Sequence, residues 1–98
     1  MEINFTFSKK AQETILNMME YIRTTHKKDS LPAIHMREVP GTDTVQCAVE
    51  FYYKGTSSGM CPVEVSGLHI IIDDSDAAML SGMEIDYDDG QFITKDQE

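Results

Sequence analysis

The spacing of apolar positions along the chain alternates between two periods, and each change marks an element. Ile3, Phe5 and Phe7 alternate with Glu2, Asn4 and Thr6, which predicts a short first strand. From Ala11 the period becomes helical: Ala11, Ile15, Met18, Met19 and Ile22 share one face, while Lys10, Glu13, Asn17, Glu20 and Arg23 lie largely off it. Ser8 stands where the N-cap of that helix belongs. The polar run 24–30 predicts a loop, and Pro32 suits the edge or start of a strand better than its middle.

Two longer alternating runs, 34–39 and 45–53, flank Pro40-Gly41-Thr42-Asp43 and predict a hairpin. A four-residue connection sets Val39 opposite Thr44 and Met36 opposite Cys47. That register puts Ile34, Met36, Val45, Cys47, Val49 and Phe51 on a core-facing side. His35, Arg37, Gln46, Ala48, Glu50 and Tyr52 go to the other.

Residues 54–59, KGTSSG, read as a flexible loop, after which Val63 and Val65 predict a short strand turning at Ser66-Gly67. Residues 67–93 carry the clearest pattern. Leu68, Ile70, Ile71 and Ile72 predict a strand buried on both faces. Ser75 or Asp74 then caps a short helix through Ala77, Ala78, Met79 and Leu80, with Asp76 in its first turn and Gly82 as a left-handed terminator. Met83, Ile85 and Tyr87 alternate with Glu84, Asp86 and Asp88, and Asp89-Gly90 turns the chain into a short strand at Phe92 and Ile93.

These elements predict an α+β domain spanning 1–98. It has about seven short strands, one amphipathic helix near the start, one short late helix, and a frayed tail from 94 to 98. Most connections are too short for helical crossovers, so a twisted mixed or antiparallel assembly is expected.

Composition changes this picture mainly by exclusion. Lys+Arg 8 against Asp+Glu 17 gives a net charge of −9, which repels nucleic acid and anionic membrane surfaces, so neither is an expected partner. No run is long enough to cross a bilayer, and the first seven residues lack a signal-peptide pattern. With two cysteines and no such start, the expectation is a reducing, cytoplasmic setting with free thiols.

The chemistry the residues offer is sparse. Cys47 and Cys61, with the three histidines His26, His35 and His69, are the candidates for a soft metal, but their spacing matches no standard motif. The hairpin register turns Cys47 into the core as a small apolar residue and His35 away from it. Cys61, between Met60 and Pro62 at the end of the KGTSSG loop, is expected to be more exposed. Asp86, Asp88, Asp89 and Gly90 resemble a calcium loop only superficially, because the glycine comes one residue early and Gln97 stands at the terminal glutamate position. Asp73, Asp74 and Asp76 could hold a hard cation, but helix capping already accounts for them. Neither a nucleophile elbow, nor a Cys/His constellation, nor a phosphate-cradling glycine loop is present, and no catalytic residue is assigned.

Over its whole length the chain resembles the HesB-like family, the A-type carriers of iron–sulfur cluster assembly. INFTFSKKAQETILNMM is similar to that family's first strand and helix, AVEFYY to its central strand, and VEVSGLHIIIDDSDAAMLSGMEIDYDDGQFI to its most recognisable part. Within the last stretch, Gly82 to Tyr87 form the G-x-x-I-D-Y segment at the family's distance from the short helix. The resemblance implies a HesB-like fold, iron or an iron–sulfur cluster as cargo, iron–sulfur assembly factors as protein partners, and a possible homodimer.

The family carries its cluster on three cysteines, one in a Gly-Cys-Ser-Gly turn and two in a Cys-Gly-Cys tail. Here the turn falls on Gly41-Thr42-Asp43-Thr44, which puts Thr42 at the ligand position, and TKDQE replaces the tail. A threonine hydroxyl cannot replace a thiolate toward iron at neutral pH. The resemblance therefore implies an association with cluster assembly without ordinary ligation, leaving Cys61, and less readily Cys47, for noncanonical iron binding. The alternative is an acidic protein-interaction module on the same scaffold with no metal chemistry.

Overall fold

The structure is a computed structural model that describes residues 3–42, 45–53 and 62–96. Along the chain these form β1 (Thr6–Phe7), α1 (Lys9–His26), β2 (Ser30–Glu38), β3 (Val45–Tyr53), β4 (Val63–Val65), β5 (Leu68–Ile70), α2 (Asp74–Met79), β6 (Met83–Asp88) and β7 (Gln91–Asp96). The class is α+β, as the sequence predicts. Strands pair as β1-β6-β7, β2-β3 and β4-β5, with β1 parallel to β6 and every other pair antiparallel.

α1 begins where expected. The Ser8 hydroxyl accepts from the backbone N–H of Ala11 at 3.1 Å, satisfying one of the orphan donors of the first turn. The helix runs beyond the predicted loop start, to His26, because Lys27 takes the left-handed conformation (φ 58°) and returns its N–H to the Arg23 carbonyl. Ser30 already belongs to β2, so the expected seven-residue loop shrinks to three.

Pro32 lies inside β2 rather than at its start, and the pairing explains how. Its carbonyl accepts from Ile71 N–H at 2.8 Å, and Ile34 N–H donates to the Ile71 carbonyl at 2.9 Å. The nitrogen and carbonyl of one strand residue point to the same side. The missing donor of Pro32 therefore faces β5, where the bridge is only beginning, and costs no bond to β3.

The hairpin register is the one the sequence implies, with Met36 opposite Cys47 and Ile34 opposite Val49. Ile34 and Cys47 are buried, while Met36, Val49 and Phe51 pack partly buried against the core. Val45 departs from its expected place: it lies at the end of the hairpin, past the core, and is 37% exposed.

Residues 68–72 form the seam between the hairpins. β5 pairs with β4, and Ile71 bridges to Ala33 of β2. Ile70, Ile71 and Ile72 are all buried, but His69 faces solvent, so the stretch is buried on both faces only in its second half. Ile15 from α1, Ile34 from β2, Ile70 from β5, Leu80 beyond α2 and Ile85 from β6 are fully buried, and they carry the hydrophobic stabilisation at about 1.5–3 kcal/mol each.

α2 is capped by Asp73, not by Ser75 or Asp74. Asp73 holds extended backbone (φ −94°, ψ 168°) and its carboxylate accepts from Asp76 N–H. Gly82 is left-handed (φ 79°), but it stands two residues past the Leu80 cap and donates its N–H to the Asn4 carbonyl at 2.8 Å. β7 is longer than the expected short strand: Thr94, Lys95 and Asp96 pair with Ile85, Glu84 and Met83, so residues 94–96 are strand and not a frayed tail.

Candidate functional site

Thr42, which the sequence resemblance sets against a ligand cysteine, lies at the tip of the β2–β3 hairpin. Pro40 followed by Gly41 at φ 80° is the pattern of a type II turn, and Thr42 N–H closes it on the Val39 carbonyl at 3.1 Å. The Thr42 hydroxyl donates to the same carbonyl at 2.9 Å, and the residue is exposed. What Thr42 presents here is a hydroxyl engaged with its own turn.

Cys47 sits elsewhere. Its side chain is 4% exposed, within the hydrophobic core. Burial pushes its thiol up to about 12, with the Asp76 carboxylate adding to the effect, so it stays protonated near neutral pH. Cys61 lies outside the described residues, as do Asp43 and Thr44. Thr42 and Cys47 thus do not converge: one is at the exposed tip and the other points inward from the middle of the hairpin. Among the described residues no three His, Cys, Asp or Glu side chains are arranged to hold a metal ion.

The structure does bring together a polar group on the opposite face of the hairpin. His35 of β2 stands across from Ala48 and beside Glu50 and Tyr52 of β3, the residues the sequence register assigns to that face. The Tyr52 hydroxyl lies 3.3 Å from His35 Nε2 and 3.5 Å from Glu50 Oε2, and His35 Nε2 lies 3.5 Å from the same carboxylate oxygen. Arg37 holds the other oxygen of Glu50 in an ion pair.

What the sequence did not reveal is the fifth member, Asp76, which reaches the cluster from α2. Its Oδ1 accepts from Met36 N–H at 3.3 Å, and its Oδ2 lies 4.0 Å from His35 Nδ1. The signal available was an aspartate at the third helical position, which helix-dipole arguments explain without any distant partner. Its contact with a residue 40 positions away has no local signature.

The electrostatics of Asp73 and Asp76 are linked. Burial and a hydrogen bond with Asp73 raise the Asp76 carboxyl above its ordinary value, against the pull of Met36 N–H and His35. Asp73 moves the other way, lowered chiefly by that same hydrogen bond with Asp76. One proton therefore favours Asp76, leaving Asp73 ionised as the helix cap.

No family model and no curated protein matches the chain.

Proposed function

We propose that the chain is a single-domain HesB-like protein tied to iron–sulfur cluster assembly through recognition of protein partners in a reducing, cytoplasmic setting, without cluster ligation at the family's positions. The observation that carries this reading is the pairing of Thr42 at the hairpin tip with a Cys47 thiol buried and pushed up to about 12. Neither group offers a thiolate to iron at neutral pH. The order of elements supports the kinship: strand, amphipathic helix, hairpin, hairpin, short helix capped by Asp73, then the strand carrying Ile85, Asp86 and Tyr87.

A second reading, an acidic interaction module with no link to iron, is favoured by charge distribution. Thirteen of the 17 acidic side chains, but only three of the eight basic ones, follow residue 29. Such a surface attracts basic partners at low ionic strength whatever their role. Iron binding through a homodimer that shares Cys61 is the arrangement under which metal chemistry would return.

Calorimetric titration against a cluster-loaded iron–sulfur scaffold protein separates these readings. The first expects saturable binding at about micromolar affinity that persists at physiological salt. Binding that disappears at that salt, and is matched by an unrelated basic protein, supports the second. No binding under either condition contradicts both.

A further inference from the structure

A cleft runs along the side of α1 that faces β2 and the β4–β5 hairpin, and the pairing of the strands explains its place. Among the described residues, β2 joins the segment just past β5 through one bridge, Ala33 to Ile71. The next bond of a parallel ladder toward the start of β2 needs an N–H at residue 32, and Pro32 has none. The ladder stops there, and the gap beyond it is lined by side chains.

The cleft has two compartments, which share Leu16 and Met19 of α1. One, of about 500 Å³, is lined also by Leu31, Pro62 and Leu68, with the exposed His69 beside Glu64 at 3.5 Å. The other, of about 320 Å³, is lined by Glu20, Arg23, Asp29 and Ser30. We propose that this cleft binds a small amphipathic ammonium compound, with the apolar group in the first compartment and the protonated amine in the second.

Ser30 carries the argument. It is 3% exposed, and its hydroxyl has no hydrogen-bond partner among the described residues. Strand alternation puts its side chain on the face of β2 that bears Ile34, which packs into the core with Ile15 of α1, so the hydroxyl lies on the α1 side of the sheet. A buried hydroxyl left unpaired is destabilising, and a polar group arriving from outside relieves that cost.

Charge selects which group arrives. Glu20 and Asp29 outnumber Arg23, whose Nε already donates to Glu20 at 3.1 Å, while Asp29 makes no ion pair among the described residues. A protonated amine donates to Asp29 and to the Ser30 hydroxyl together, whereas an anionic head group meets net negative charge. The Arg23 side chain is 61% exposed, so it swings aside to admit the amine with no backbone movement. Leu16, 52% exposed, then covers apolar ligand instead of facing water. The apolar compartment falls within the roughly 300–1,000 Å³ of small-molecule sites. None of these residues is Thr42, Cys47 or Cys61, so the site stands independently of the cluster-assembly reading.

Titration of the full chain with n-octylammonium, followed by methyl NMR, tests the site. Shifts at Leu16, Met19, Leu31 and Leu68 should saturate with a Kd below about 1 mM. Octanoate and octanol, which keep the chain and change the head group, should bind at least about fivefold more weakly. Asp29→Asn and Ser30→Ala should each weaken octylammonium binding about fivefold, and Leu16→Gln, at an exposed position, should weaken it too. Ser30→Ala should also leave the unliganded protein no less stable to heat, because it removes a polar group that has no partner. Shifts that never saturate, equal affinity for octanol, or wild-type affinity in any of the three variants would overturn the proposal. So would a lowered unfolding midpoint in Ser30→Ala, the sign of a hydroxyl already satisfied without the ligand.

Discussion

At the scale of single residues, Asp86 does more than its position in an alternating strand suggests. It accepts from the Ser8 hydroxyl at 2.5 Å, from Lys95 Nζ at 2.7 Å and from Tyr87 N–H at 2.8 Å, joining the α1 cap, β6 and β7. Lys95 first, then Ser8 and Tyr87, hold its carboxyl well below the usual value of 3.8. A depressed folded value stabilises the protein above the unfolded value and loses that stabilisation as pH falls toward the folded one. Asp86→Asn should therefore lower stability at neutral pH and flatten its decline below about pH 4, as read from urea unfolding at stepped pH. Cys47 is the converse case, a reactive side chain made inert by its surroundings. In a Cys61→Ser background, native protein at pH 8 should resist iodoacetamide while unfolded protein reacts at once, and Cys47→Ala should cost about 1–2 kcal/mol. Rapid alkylation of the native state would refute the buried placement. The Ser8 cap could be read from sequence because capping is local; the partnership of Ser8 with Asp86 spans 78 positions and could not.

At the scale of elements, α2 shows how local rules can identify a helix and still misplace its boundary. Asp73, Asp74 and Ser75 all have side chains that can cap, and sequence alone does not say which residue stays extended. Tertiary contact decides: Asp76 must turn its carboxylate to Met36 N–H, which makes it the third helical residue and Asp73 the cap. Asp73→Ala should accordingly cost about 1 kcal/mol in thermal or urea unfolding, with Ser75→Ala close to neutral, and the reverse order would contradict the assignment. The β2–β3 register was legible because period-two alternation and a four-residue connection fix it together. The full length of β7 was not. Thr94, Lys95 and Asp96 have no apolar alternation, and their order comes from pairing with β6 and from the Lys95–Asp86 bridge.

At the scale of the whole molecule, the α+β class and the strand count follow from periodicity and turn chemistry, whereas the polar cluster depends on two elements meeting. His35, Glu50 and Tyr52 share a face by alternation alone, but their meeting with Asp76 is a product of how α2 docks on β2. That Thr42 stands at the hairpin tip was legible in the register; the inertness of Cys47 also needed its burial. The proposed role in recognition, and not in carriage, rests on these two observations. Anaerobic reconstitution with iron and sulfide, followed by desalting and visible absorption, tests this most directly. The account predicts a colourless protein whose unfolding midpoint is unchanged by iron. A stable visible chromophore, retained through desalting and lost in Cys61→Ala or Cys47→Ala, would contradict it.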